Sequence, residues 1–253
     1  MKYKIITLNM WHGGRLMQQA LDFIRAENPD ILCLQEVFNG HDKSFEERFR
    51  TLDVVKKECG FEYAEFAAAF KQVNNVPEPI ERGNAVCSKF PLRALPTVFF
   101  DLPYDPARKD LPGQGFTCTM LLQMVEVDLG GIVTTVGNVH GIWEPNAIDH
   151  ERRTVMANKI VGALGGKPHV VLAGDFNMRP DTQAAAHIGN TLQSIFKQEL
   201  QNTMNMRRRD DPYYATLAVD MMFVSSDVHV LEHHMPDVDV SDHMPLVTEF
   251  ELS

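Results

Sequence analysis

The chain has 253 residues, 44% of them hydrophobic, and a formal net charge of −10 at pH 7. This length suits one large core, so we expect a single domain over residues 1–253. The acidic balance argues against a broad basic face for duplex DNA, because neutralising phosphates takes Lys and Arg. A phosphoester substrate stays compatible with it, since a divalent metal held by acidic residues supplies positive charge locally.

The sequence carries no targeting signal that we recognise. Its first residues lack the apolar region and cleavage site of a secretory signal, and no stretch reaches the roughly 18 apolar residues of a membrane span. The four cysteines Cys33, Cys59, Cys87 and Cys118 lie far apart, without zinc or redox spacing. We therefore expect a soluble, cytoplasmic protein with reduced thiols and no stable membrane anchor, and we favour a monomer.

The N-terminal half alternates between strands and helices. The alternating segment at 2–9 predicts a strand, and a helix follows over 16–28 because apolar residues recur on one of its faces. Asn28 and Pro29 end that helix before a strand at 30–37. A charged helical stretch at 43–59 then leads to strands at 61–70 and 85–90. Residues 92–115, rich in proline, aromatics and charge, predict an extended hairpin or flap.

The C-terminal half opens with a hairpin signal, two β-type runs at 117–129 and 132–140 joined by Gly130 and Gly131. The pattern next predicts a helix over about 149–164, a buried strand entering a turn at 169–177, and a helix at 191–200. Strands are predicted at 218–226, 228–233 and 244–252. Many antiparallel strands with few helices predict a four-layer α/β sandwich, two packed and mostly antiparallel sheets flanked by helices.

Compact polar clusters stand at the ends of nearly all these strands. They are Asn9, Gln35 with Glu36, Asn138 with His140, Asp175 with Asn177, Asp220, and Asp242 with His243. Each cluster alone has an ordinary interpretation as a turn or a solvated terminus. Asp220 is the exception, because a buried carboxylate between Val219 and Met221 is costly without a partner. If the sheets bring these ends together, they form one polar pocket on a rigid scaffold.

In this order the clusters resemble the endonuclease/exonuclease/phosphatase superfamily, which has the fold of pancreatic deoxyribonuclease. The matching motifs are T-L-N at 7–9, L-Q-E-V at 34–37, N-V-H at 138–140, G-D-F-N at 174–177, V-D at 219–220 and S-D-H at 241–243. G-D-F-N is moderately specific by itself. The ordered set is highly specific and spans almost the whole chain.

The resemblance implies a metal-dependent phosphoesterase. By resemblance the metal residues are Asn9, Glu36 and Asp242, with Mg²⁺ as the cofactor and Mn²⁺ as the alternative. The catalytic residues would be His140, Asp175, Asn177, Asp220 and His243. Among these, His243 would be the general base that activates water for in-line attack, and Asp220 would orient it. Asp175 would orient or deprotonate the nucleophile or protonate the leaving group, while Asn177 and His140 would contact the phosphate or leaving oxygen.

The chemistry of phosphodiester hydrolysis is consistent with this set. The transition state gathers negative charge on non-bridging oxygens, which a hard cation and neutral Asn or His donors stabilise. Water needs a base at neutral pH, and a carboxylate behind an imidazole fixes its tautomer. Oxygen ligands without a cysteine cluster favour Mg²⁺ or Mn²⁺ over zinc.

The candidate substrate contacts are Trp11, Trp143 and Arg208. Trp11 stands where abasic-site endonucleases of the superfamily carry an acidic residue, which argues against a DNA-repair function, and its ring packs under the site or stacks on substrate. Arg208 belongs to a basic loop at 206–214 that also contains two tyrosines. A second loop, 99–116, offers Phe99, Phe100, Tyr104, Arg108 and Lys109. Aromatic and basic groups together suit a nucleotide or single-stranded nucleic acid.

Three functions stay open at this point. The first is a Mg²⁺-dependent phosphodiesterase, with a nuclease or DNA-end-processing enzyme ahead of other substrates. The second is a sphingomyelinase- or inositol-phosphate-type enzyme, whose flap at 99–104 would touch the membrane. The third is an inactive binding module on the same fold, against which the retention of the polar residues speaks.

Overall fold

The chain folds into two β-sheets packed face to face, with helices on both outer sides, in a computed structural model that describes residues 1–107 and 120–253. Numbered along the chain, the strands are β1 Lys2–Asn9, β2 Ile31–Phe38, β3 Tyr63–Gln72, β4 Ile80–Ser88, β5 Leu92–Ala94, β6 Val98–Phe99, β7 Leu121–Leu129, β8 Ile132–His140, β9 Val170–Asp175, β10 Gln193–Ser194, β11 Asp220–Val224, β12 Val228–His234 and β13 Leu246–Leu252. The helices are α1 Trp11–Gly14, α2 Met17–Glu27, α3 Thr51–Glu58, α4 Glu151–Leu164 and α5 Gln183–Gly189. Short 3₁₀ turns lie at Glu47–Arg50, Pro145–Ala147 and Pro212–Thr216. The predicted four-layer sandwich is confirmed.

The strand order brings the motif-bearing ends together. The six-stranded sheet runs β12-β13-β1-β2-β4-β3, and the second sheet runs β10-β11-β9-β8-β7-β5 with β6 beside β7. Within the described residues only β1 with β2 and β8 with β9 are parallel pairs, so both sheets are mostly antiparallel. Asp175 ends β9 beside His140 of β8 on one side and Asp220 of β11 on the other. Because β11 runs antiparallel to β9, the first residue of β11 lies beside the last residue of β9. Strands of opposite direction thus place their polar residues at the same end of the sheet.

Alternation along the strands separates the apolar layers. Ile5 and Val171 face the core between the two sheets, whereas their neighbours Ile6 and Leu172 face outward, toward α2 and α4 respectively. Successive side chains of a strand point to opposite faces, and both faces of each sheet are covered here. The inner residues become polar toward the motif-bearing edge, which opens the space between the sheets at that end.

A layer of buried amide side chains joins the sheets just below this edge. Asn138 of β8 donates to the carbonyls of Leu34 and Ala85, both at 3.0 Å, and to Oε1 of Gln123 at 3.2 Å. It accepts from Nε2 of Gln35 at 2.7 Å. The sequence grouped Asn138 with the strand-end clusters, but the structure buries it completely between the sheets. Its role is therefore to hold the sheets in register.

The predicted helix at 191–200 is wrong. Gln193–Ser194 instead forms β10 on the edge of β11, and the following Ile195 and Phe196 enter the core between the sheets. The helix of this region lies earlier, at α5, where Oγ1 of Thr182 accepts the N–H of Ala185 at 3.2 Å and caps the first turn. The apolar residues at 192–200 fit a helical period, but burial in the strand layer decides their conformation.

The remaining helices and strands lie approximately where the sequence patterns predict them. The charged stretch at 43–59 begins as a 3₁₀ turn and continues as α3. The flap at 92–115 begins with β5 and β6, both on β7; Arg108, Lys109 and Cys118 lie outside the described residues. Cys33 and Cys87 are buried free thiols and Cys59 is partly buried. Among the described residues, no helix has both the length and the hydropathy of a membrane span.

Replacing Asn138 tests the amide layer. In Asn138→Ala the carbonyls of Leu34 and Ala85 and the amide of Gln35 lose buried partners, so the free energy of unfolding should fall by about 2 to 4 kcal/mol. Urea denaturation followed by circular dichroism measures this. Asn190→Ala, at an exposed position after α5, serves as the control; equal stability of the two variants would contradict a structural role for the layer.

Candidate active site

One cavity of about 580 Å³ opens at the motif-bearing edge, and nine of the eleven residues predicted from sequence line it. These nine are Asn9, Trp11, Glu36, His140, Trp143, Asp175, Asn177, Asp242 and His243. Asp220 lies behind His243, and Arg208 lies elsewhere. The strand ends that the sequence could only suggest were neighbours therefore meet in space.

Asp220 and His243 form a buried pair. Nδ1 of His243 lies 2.9 Å from Oδ2 of Asp220, which supplies the partner that a carboxylate at this position requires. Burial by itself lowers the pKa of His243, but the charges of Asp220 and Asp175 outweigh this and raise the pKa to about 10. Asp220 is set in place by its backbone N–H, which donates to Oγ1 of Thr203 at 3.2 Å. This pairing directs Nε2 of the imidazole toward Asp175.

Asp175 is the group on which the site converges. Its Oδ2 accepts from Nδ2 of Asn9 at 3.0 Å and lies 3.8 Å from Nε2 of His140 and 3.9 Å from Nε2 of His243. Its Oδ1 accepts the backbone N–H of Asn177 at 2.9 Å. Burial raises the pKa of Asp175, while the charge of His243 opposes this. The distance between Oδ2 of Asp175 and Nε2 of His243 is too long for a direct hydrogen bond. The oxygen of one water molecule between them can contact both atoms.

His140 and Asn177 lie on either side of Asp175. Burial lowers the pKa of His140, which favours the neutral imidazole. Nδ2 of Asn177 donates to the carbonyl of Gly141 at 3.0 Å, which uses one of its two amide hydrogens. The fold thus fixes the Asn177 side chain, and both residues line the cavity as hydrogen-bonding groups without net charge.

Glu36 points into the cavity from a break in β2. The register of β2 with β4 shifts between Leu34 and Val37, and Glu36 has a φ of 60°. Its Oε2 accepts the backbone N–H of His12 at 2.6 Å and lies 2.5 Å from Nη2 of Arg82. Burial by itself raises the pKa of Glu36. The charges of Arg82, His140 and His12 outweigh this and hold the pKa well below its usual range.

Asp242 is a buried carboxylate that also lines the cavity. Its Oδ2 accepts from Nη2 of Arg209, and its backbone carbonyl accepts from the N–H of Asn205 at 2.8 Å. The preceding Ser241 donates from Oγ to the carbonyl of Asn9 at 2.6 Å. The S-D-H motif is therefore tied directly to the end of β1.

Backbone strain concentrates at this cavity. Six of the ten described non-glycine residues with positive φ line it. They are Trp11, His12, Glu36, Asn146, Ala147 and Asn177. Each such conformation costs roughly 1 to 3 kcal/mol and persists only where the surroundings impose it. The clustering makes this cavity a candidate functional site independently of any motif.

The rim contains aromatic residues from separate loops. Trp143 is 50% exposed and Tyr213 is 40% exposed, so both rings are accessible from the cavity mouth. Trp11 lies below them, with its backbone N–H on Oδ1 of Asn9 at 3.0 Å and the guanidinium of Arg15 over its ring. Trp11 and Trp143 therefore occupy positions compatible with substrate contact.

The structure does not bring Arg208 to the cavity. Its guanidinium pairs with both carboxylate oxygens of Asp239 on the outer surface, and its neighbour Arg209 lines the cavity instead. The sequence offered three successive arginines with nothing to distinguish them. It also missed Arg82 and His12, which line the cavity next to Glu36. No local signal marks Arg82, because only the pairing of β4 with β2 brings it there.

Two sets of groups are suited to a cation. Asn9, Glu36 and Asp242 offer amide and carboxylate oxygens to the cavity. Asp175, Asp220 and His243 have ligand atoms within 4.8 Å of one another. In the second set Nδ1 of His243 is already engaged by Asp220. The first set is the better match for a hard divalent cation, because all its donors are oxygens.

Comparisons with known proteins agree with this geometry. The sequence matches the model of the Endonuclease/Exonuclease/phosphatase family over residues 6–243. No curated protein matches the chain.

Solved structures share the fold. An endonuclease/exonuclease/phosphatase from Beutenbergia cavernae is 20% identical with a TM-score of 0.77, over 100% of this chain and 72% of that one. The human Nocturnin catalytic domain with bound sulfate anion is 18% identical with a TM-score of 0.68, over 100% and 94%. D. rerio TDP2, humanized by 14 mutations, is 16% identical with a TM-score of 0.68, over 99% and 99%. At these identities the likeness concerns the fold alone.

Removing the charge behind His243 tests the buried pair. In Asp220→Asn the pKa of His243 should fall from about 10 by roughly one to three pH units, because the largest of the three carboxylate charges that favour the imidazolium is gone. NMR titration of the imidazole in EDTA measures this. The raised pKa of His243 adds to the stability of the fold. This contribution is complete below about pH 6.5 and is lost as the pH rises through the folded-state pKa of about 10. Asp237→Asn, an exposed change beside Arg207, should leave the titration unaltered; an unshifted pKa in Asp220→Asn would refute the pairing.

Proposed function

Because this chain belongs to the endonuclease/exonuclease/phosphatase family, whose members are hydrolases of phosphoester bonds, we propose that it is a divalent-metal-dependent phosphodiesterase. The observation that carries this proposal is the meeting of Asp175 with the Asp220–His243 pair in a cavity that Glu36 and Asp242 also line. The presence of the whole set argues against an inactive binding module.

The donors in the cavity fit Mg²⁺, with Mn²⁺ as the alternative. We assign the cation to Glu36 and Asp242, with Asn9 beside them, because carboxylate and amide oxygens are the preferred ligands of these ions. When bound, the cation supplies positive charge to the non-bridging oxygens of the phosphate. The two described core thiols, Cys33 and Cys87, are buried and take no part.

Activation of water falls to Asp175 and His243 together. A water oxygen that contacts both Oδ2 of Asp175 and Nε2 of His243 is held for attack, and its proton passes to this pair. The resemblance named His243 as the general base and gave deprotonation of the nucleophile as one possible role of Asp175. Two buried groups this close share their protons and act as one unit. Asp220 supports the imidazole throughout because it accepts from Nδ1, which fixes the orientation of the ring and stabilises its positive charge.

Two neutral groups complete the site. The imidazole of His140 and the remaining amide hydrogen of Asn177 are positioned to donate to phosphate or leaving oxygens. Donors that are fixed before the reaction stabilise developing charge without reorganising. The sulfate bound in the Nocturnin catalytic domain is a tetrahedral anion like phosphate, which supports anion binding on this fold.

For the substrate we propose a nucleotide or the end of a single-stranded nucleic acid. The half-exposed rings of Trp143 and Tyr213 suit stacking on bases, which tolerates different sequences. A lipid substrate has less support, because Phe100 of the flap is buried in the core beneath α4 and is unavailable to a membrane. A cytoplasmic monomer stays the expectation from sequence.

Activity should depend on a divalent metal. With Mg²⁺ or Mn²⁺ the protein should hydrolyse bis-nitrophenyl phosphate, and EDTA should abolish this until metal is restored. The same assay extended to single- and double-stranded DNA, RNA, sphingomyelin and inositol phosphates identifies the substrate. Full activity in chelator would remove the metal from the proposal, and hydrolysis of sphingomyelin without nucleic acid cleavage would reverse the substrate assignment.

Loss of either base partner should be severe. His243→Ala and Asp175→Asn should each lower kcat by about 10²- to 10⁴-fold, the usual contribution of general acid–base catalysis, and the double variant should be little worse than either single one because the two act as a unit. His234→Ala, an exposed histidine at the end of β12, is the matched control. Near-normal turnover in a folded His243→Ala protein would disprove the mechanism.

A further inference from the structure

We propose that Arg82 and Arg209 are exchangeable counter-ions of the metal-binding carboxylates, and that they form the subsite for the phosphoryl group once Glu36 and Asp242 engage a divalent cation. This inference rests on the proposed function and assigns two residues that neither the motifs nor the mechanism above use. Each arginine lines the cavity and pairs with one of the two carboxylates.

Arg82 forms an ion pair with Glu36 at the cavity wall. Its Nη2 lies 2.5 Å from Oε2 of Glu36, and its side chain is only 11% exposed. Its Nη1 donates to Oε1 of Gln72 at 3.2 Å, and the guanidinium lies over the rings of Phe38 and Phe70. The rings and Gln72 keep the guanidinium at the cavity wall even when its carboxylate turns to another partner.

Arg209 repeats the arrangement at Asp242. Its Nη2 donates to Oδ2 of Asp242, and its guanidinium lies 4.8 Å from the ring centroid of Tyr214. Its Nε is buried and has no hydrogen-bond partner among the described residues. A buried donor of this kind is costly unless a ligand satisfies it. The side chain therefore has a free hydrogen bond to offer inside the cavity.

Charge balance explains why the exchange occurs. Asp242 is buried and the side chain of Glu36 is only 17% exposed, so without a cation each needs a positive partner to avoid an isolated charge in a poorly solvated site. When both carboxylates engage a divalent cation, the two guanidiniums lose that attraction while still facing the cavity. A phosphate group is the fitting replacement, because a guanidinium offers it parallel N–H donors in a planar fork. Metal and anion should consequently bind with positive coupling.

The neighbouring arginine provides an internal contrast. Arg208 lies in the same loop as Arg209, but it pairs with Asp239, a carboxylate outside the cavity. Arg93 contrasts with Arg82 in the same way, since it is exposed and pairs with Glu126 at the edge of the second sheet. Arg208→Gln and Arg93→Gln are thus matched controls that remove an arginine and its ion pair without touching the cavity.

The first measurement is Mn²⁺ binding without any substrate. Arg82→Gln and Arg209→Gln should each bind Mn²⁺ about tenfold more tightly than the wild type, because the competing counter-ion is gone; electron paramagnetic resonance of free Mn²⁺ measures this. Arg82→Lys, which keeps the charge, should stay near the wild-type affinity. The two control variants should not differ from the wild type. Unchanged or weaker Mn²⁺ binding in both glutamine variants would overturn the inference.

The second measurement is the binding of inorganic phosphate to the Mn²⁺-loaded protein by calorimetry. Wild type should bind phosphate more tightly with Mn²⁺ than without, and each glutamine variant should lose about tenfold of the affinity of the loaded form. Phosphate affinity equal to wild type in both variants would also overturn the inference. The melting temperature in EDTA shows whether Arg82→Gln is folded, and Arg209→Gln decides the question if it is not.

The two proposals fail in distinguishable ways. If the wild-type protein binds no Mn²⁺ at all, the metal-dependent function itself is wrong. If the wild type binds Mn²⁺ and hydrolyses phosphodiesters while the arginine variants bind metal and phosphate as it does, only the counter-ion exchange is wrong.

Discussion

The position of the active site depends on the buried amide layer between the two sheets. Apolar packing is non-directional, so two sheets joined only by aliphatic side chains have no fixed relation along their strands. Hydrogen bonds are directional, and Asn138 of β8 binds carbonyls of both β2 and β4. One layer further along, Asn9 of the first sheet binds Asp175 of the second. The cavity is the continuation of this cross-sheet network into solvent.

This register determines the electrostatics of the site. Each of the four acids of the site is paired with a cationic or hydrogen-bonding group from a different segment of the chain. The pairs are Asp220 with His243, Glu36 with Arg82, Asp242 with Arg209, and Asp175 with Asn9. A buried carboxylate without such a partner is costly, so a slip of one sheet would break several pairs at once. The strained backbone at Glu36 and Asn177 is tolerated because these contacts over-determine it.

Much of the fold and of the cavity lining was predictable, for reasons that particular residues make clear. Period-two alternation identified the long strands, and the hairpin at Gly130 and Gly131 forms as predicted. The failures came where tertiary contacts decide. Residues 191–200 have a helical period, but Ile195 and Phe196 enter the core between the sheets. Arg208 and Arg209 are indistinguishable in sequence, and only the loop path separates the surface pair from the cavity.

The sequence by itself determined which residues stand at strand ends and which face each strand presents, because alternation and breakers are local properties of the chain. It thereby predicted that Glu36, Asp175 and His243 stand at strand ends, and the family resemblance of the ordered motifs implied that they share one site. Only the tertiary structure decided which side chains pair. Arg82 is the counter-ion of Glu36 although more than forty positions separate them along the chain, and Asn138 holds the sheets together below the cavity. Such pairings depend on strand order and register, which are set by the packing of the whole chain and by no local segment.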